Sequence, residues 1–162
     1  MPWVSAIVLL PLAGALSLLA VPPAPGGLRQ ARMHALVAAG GTLVLTAILV
    51  GLFDRGEGGL QFVDRQGWAE EAGLAWDVGV DGISLWLLLL TAVVFLLGIV
   101  AACWRPPERP RAFLALLLLA ETGLLGLFAA GHLVLFYVFW EATRVPFYVL
   151  IGMWSTAADR VR

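Results

Sequence analysis

Two carboxylic acids and a guanidinium stand in stretches that are otherwise apolar. Glu121 lies inside the apolar run at residues 112–130. Glu141 and Arg144 lie inside LVLFYVFWEATRVPFYVLIGMW, residues 133–154, with Pro146 two positions further on. At the centre of a membrane helix an Asp, Lys or Arg costs about 2.5–3.5 kcal/mol on insertion scales. Ionisable side chains at that depth usually face protein or a water-filled cavity and mark ion or proton pathways. Glu121 and Glu141 flank the short turn Gly131-His132 at similar spacing, so consecutive antiparallel helices carry them at similar depth. A carboxyl group there can take up and release a proton, and two within reach can relay one. The plainer reading is a polar pair hydrogen-bonded between helices.

Three neighbours of Glu141 qualify that chemistry. Arg144 follows it by three residues, about one helical turn, and can serve as an ion-pair or tuning partner; otherwise it reaches toward the membrane surface. Pro146 lacks an N–H, so a helix break is expected there, with the Ala142 carbonyl left free beside the acid. Tyr137 and Tyr148 fall on roughly the same face and read as packing aromatics. His132 and His34 read as interfacial histidines.

Composition fixes the setting. The chain has 162 residues, 61% hydrophobic and 13% charged, with a mean hydropathy of +0.93. Soluble domains run at about 25% charged, so this is an integral membrane protein. The net charge of -1 offers nothing to nucleic acid. All ten basic residues are arginine. The single cysteine, Cys103, excludes an intrachain disulfide and a cysteine-ligated iron–sulfur or zinc site built by this chain alone. Neither a G-x-G-x-x-G nor a Walker-type loop occurs, so no nucleotide, metal or other cofactor site is expected.

The fold class is therefore all-α, a single polytopic membrane domain of about five spans. These are expected at residues 4–21, 33–53, 83–104, 112–130 and 133–154. The first reads as a retained helix and not a signal peptide, since no basic leading region precedes it. Pro11 should kink it, and Pro22, Pro23, Pro25, Gly26 and Gly27 should turn the chain. Residues 54–80 form a polar, acidic interval whose short pieces around residues 60–63 and 74–76 suit a surface hairpin. Asp81 precedes the third span with helix-cap chemistry. Seven arginines (29, 32, 105, 109, 111, 160, 162) fall on one side of such a bundle and two (55, 65) on the other. The positive-inside rule then places the amino terminus outside, the carboxyl terminus in the cytoplasm and the acidic interval facing outward.

Two stretches carry a family resemblance: VGVDGISLWLLLLT at residues 78–91, and LLLLAETGLLGLFAAGHLVLFYVFWEATRVPFYVLIGMW at residues 116–154. They resemble the amino-terminal part of the antiporter-like M subunit of bacterial NADH:quinone oxidoreductase, respiratory complex I. The resemblance implies that Glu141 is the fifth-helix acid needed for proton pumping and Glu121 the acid often found in the fourth helix. It implies other membrane subunits of the complex as partners, the bacterial cytoplasmic membrane as location, and no NADH or quinone chemistry in this subunit. Arg144 falls where the family usually has an aliphatic residue, and His132 where a carboxylate is common. The family chain continues through further helices to a buried lysine that partners the fifth-helix acid, and this chain has no lysine. The rival readings are a packing or assembly element without pumping, and a subunit of a cation/proton antiporter or membrane hydrogenase.

Overall fold

A computed structural model describes residues 2–20, 26–69 and 74–154. Five helices, α1 (Trp3–Ala20), α2 (Gly27–Leu52), α3 (Ser84–Trp104), α4 (Pro110–Ala129) and α5 (Leu133–Trp154), each have the length and hydropathy to cross a membrane. At about 1.5 Å per residue they run about 27–39 Å, against a hydrocarbon core of about 30 Å. Between α2 and α3 lies a two-stranded antiparallel hairpin, β1 (Gln61–Ala69) and β2 (Leu74–Val80), with Arg65 opposite Asp77. The polar interval thus carries ordered sheet, more than the short fragments anticipated. Glu70 and Glu71, the proline turn at residues 22–25 and the arginines at 160 and 162 lie outside the described residues.

Helix α2 starts at Gly27, ahead of its apolar run, so Arg29 and Arg32 ride on its opening turns. Both α1 and α5 run through their prolines. The break expected at Pro146 is therefore absent. The missing N–H removes one hydrogen bond, to the Ala142 carbonyl, while the buried proline ring packs within an otherwise regular helix.

Helix α4 is central. It packs against all four other helices, and more than half of its span is covered, compared with under a quarter of α5. Close approach comes from small residues: Gly14 of α1 lies against Ala38 of α2, where a side chain would clash. Two apolar clusters fill the bundle. One, at the hairpin end, includes Val4, Ile7, Leu49, Val78, Leu88 and Leu125. The other, at the arginine-rich end, includes Leu18, Ala35, Ala39, Ile99, Leu114 and Leu118. Among the described residues the buried polar side chains are Thr42 and Thr46 of α2, Thr91 of α3, Glu121 and Thr122 of α4 and Thr143 of α5.

The hairpin is tied to the helices by specific bonds. The Trp76 indole N–H donates to the Ser5 hydroxyl at 2.8 Å, and the Ser5 N–H donates to Asp64 Oδ2 at 3.0 Å. The Gly131 N–H donates to the Asp77 carbonyl at 2.7 Å, which fixes the α4–α5 turn to β2.

Candidate functional site

The site is organised by the contact between α4 and α5. Gly123 and Gly126 leave α4 without side chains on one face, and Thr143 and Phe139 of α5 fill that space. A Cβ on either glycine would collide with them. Thr143 turns its hydroxyl back to the Phe139 carbonyl at 2.7 Å, which satisfies it within its own helix.

That contact sets the phase of both helices and so decides where the two acids point. Glu121 has no solvent-accessible surface, and neither carboxyl oxygen has a hydrogen-bond partner among the described residues. It lies between Leu118 and Leu125 on α4, one from each apolar cluster. Buried threonine hydroxyls of α2 and α3 each donate to the carbonyl four residues earlier: Thr42 to Ala38 at 3.0 Å, Thr46 to Thr42 at 2.8 Å and Thr91 to Leu87 at 2.7 Å. Their protons are committed, and only their lone pairs remain on offer.

Glu141 lies two residues from both Phe139 and Thr143. At about 100° per residue it points some 200° away from the α4 contact. It is half exposed, and Arg144 Nη1 reaches both of its carboxylate oxygens, at 3.0 Å and 3.2 Å. Of the two readings the spacing left open for Arg144, the ion pair is the one present, on the open face of α5. Tyr137 and Tyr148 are exposed on the same side, and Phe136 stacks on Trp140 at 6.1 Å.

The two acids are at matching depth. Glu121 is eight residues before the end of α4 and Glu141 eight residues after the start of α5, about 12 Å along each helix from the shared turn. They do not form the facing pair anticipated. Neither the relay through direct contact nor a hydrogen bond between helices exists among the described residues, because the phase fixed by Gly123 and Gly126 sends Glu141 outward.

At the hairpin end Asp81 caps α3. Its Oδ1 accepts from the N–H groups of Ser84 (2.7 Å) and Ile83 (2.9 Å), and the Ser84 hydroxyl accepts from the Asp81 N–H at 2.8 Å. The Ser84 N–H, ahead of the other donors, holds this carboxyl below its ordinary 3.8. His132 does more than an interfacial histidine. Its Nε2 lies 2.7 Å from the Ala75 carbonyl of β2, and its Nδ1 accepts from the Leu135 N–H at 3.3 Å. By contrast the exposed His34 lies 3.1 Å from the Ser17 hydroxyl.

The family model described as NADH:quinone oxidoreductase/Mrp antiporter, transmembrane, matches residues 130–162. NAD(P)H-quinone oxidoreductase chain 4 of Nostoc sp. is 38% identical over 155 residues, covering 95% of this chain and 28% of the relative. The corresponding protein of Synechococcus sp. is 40% identical over the same coverage. The chain matches the amino-terminal part of the antiporter-like M subunit, chain 4. It spans under a third of the length of these relatives. A chain of respiratory complex I from Thermus thermophilus, solved with bound NADH, superposes with a TM-score of 0.73 at 32% identity, over 93% of this chain and 29% of that one. The family-model match includes the turn and the helix that hold His132, Glu141, Arg144 and Pro146.

Proposed function

We propose that this chain is the amino-terminal part of a proton-translocating subunit of NADH:quinone oxidoreductase. Protons pass by way of Glu141 and Glu121, driven by redox chemistry carried out elsewhere in the complex. The observation that carries the reading is Glu121: a fully buried carboxyl with no hydrogen-bond partner among the described residues, at the depth of Glu141, in a chain similar to complex I subunits. Such a group is costly to bury and serves no bond within this bundle.

On this reading the two acids occupy separate faces and are joined by water or by groups outside this chain. The open face of α5, with its ion pair and aromatics, belongs against other membrane helices, and the apolar outer faces of α2 and α3 against lipid. The partners are the other membrane subunits of the complex. The arginine-rich end lies in the cytoplasm and the hairpin outside, in a bacterial cytoplasmic membrane. No cofactor is assigned to this chain. Replacing Glu141 with Gln tests the reading: proton pumping linked to quinone reduction should fall while electron transfer with an artificial acceptor persists. Undiminished pumping would favour the packing-element reading.

A further inference from the structure

The α4–α5 turn is joined to the hairpin by a histidine whose two ring nitrogens have opposite jobs. Nε2 faces a carbonyl oxygen, Ala75 O at 2.7 Å, and must carry the proton. Nδ1 faces the N–H of Leu135 at 3.3 Å and must be bare. His132 occupies the cap position of α5, since its own carbonyl accepts the first helical bond, from the Phe136 N–H at 3.0 Å. The imidazole therefore works as a helix cap and as a tether at once, and only in its neutral Nε2–H form. A second proton on Nδ1 would put a donor against a donor and a positive charge at the positive end of the helix dipole.

We propose that His132 is a positioning residue for proton transfer: it caps α5 and ties its first turn to β2, and so sets where Glu141 stands. This rests on the reading of Glu141 as a proton carrier. The neighbouring bonds make the tether stiff. The Gly131 N–H is held by the Asp77 carbonyl, Val78 bridges Ala130, and Trp76 meets Phe139 edge-on at 5.8 Å, about two turns below the cap. Glu141 follows Phe139 by two residues on the same rigid helix. A largely apolar cavity of about 230 Å³ lies beside the imidazole, lined by Leu9, Leu12, Trp76, Thr122, Val138 and Phe139 among others.

Acidification of the hairpin side should therefore release the cap. The charged groups around it are few. From β2 comes Asp77, which lies against Gly131 and pairs with Arg65 of β1 at 3.8 Å. Asp64 of β1 is bonded to the Ser5 N–H, and α1 carries no charged residue. Glu121 of α4 and Glu141 with Arg144 of α5 lie about two turns or more deeper.

The test uses the assembled complex with His132→Ala and His132→Asn. Asparagine keeps a cap acceptor and does not titrate. Amide hydrogen exchange in the first turn of α5 should be about fivefold faster in H132A than in wild type at neutral pH, and near wild type in H132N. As pH falls, the wild-type to H132N exchange ratio should rise. Protons pumped per quinone reduced should fall in H132A, recover in H132N at neutral pH, and lose in H132N the decline that wild type shows in acid. Unchanged exchange in H132A, a pH-independent exchange ratio, or full pumping in H132A where E141Q abolishes it would each overturn the proposal. Full pumping in E141Q as well would remove the carrier reading and the positioning role together.

Discussion

Replacing Glu121 with leucine separates what this residue does for stability from what it does for transport. Both carboxyl oxygens are buried without a partner among the described residues, flanked along α4 by Leu118 and Leu125. An unsatisfied buried polar group costs about 1–3 kcal/mol, and replacing it by an apolar side chain of similar shape removes that cost. Leucine is somewhat larger than glutamate, so tighter packing around the new side chain offsets part of the gain. The expected net effect is a complex as stable as wild type or more stable by about 1–2 kcal/mol. Hydrogen exchange across α4 in the assembled complex reads this directly, as equal or slower exchange of its amides. Pumping measured on the same preparation should fall. Faster exchange, equivalent to a loss above about 1 kcal/mol, would mean the carboxyl is well bonded in place and would refute the reasoning.

Two further outcomes follow from the same geometry. Asp81→Ala should cost about 1 kcal/mol at the start of α3 at neutral pH. Because hydrogen bonds hold the Asp81 carboxyl below 3.8, the cap's contribution is present above that pH and is lost as pH falls through the lowered value; exchange of the Ser84 amide in an acid titration checks the sign. Arg144→Leu should leave Glu141 a lone charge on the α5 face and reduce assembly or pumping, with Arg144→Lys restoring part of the loss; recovery of intact complex from membranes measures it, and a wild-type yield with normal pumping would show the ion pair to be idle.

Much of this architecture was legible from residue pattern. Long apolar runs marked the five helices, alternation and glycines marked the hairpin, and counting from Gly131-His132 put Glu121 and Glu141 at one depth. The missing part was rotation about the helix axes. α5 is apolar nearly all round, so no stripe shows which side meets α4; Gly123 and Gly126 on the partner helix were the signal that fixes it. Pro146 was expected to break α5, but one absent N–H is tolerated when the ring itself is buried. The double role of His132 could not be read locally, because Ala75 is 57 residues away and meets it only once the hairpin folds back.

The most direct test of the account is the proton-to-electron ratio of the assembled complex with Glu141→Gln in sealed membrane vesicles. The account predicts a ratio well below wild type with electron transfer and assembly retained. A wild-type ratio would contradict it, and Glu141 would then be a member of a packing face held in charge balance by Arg144.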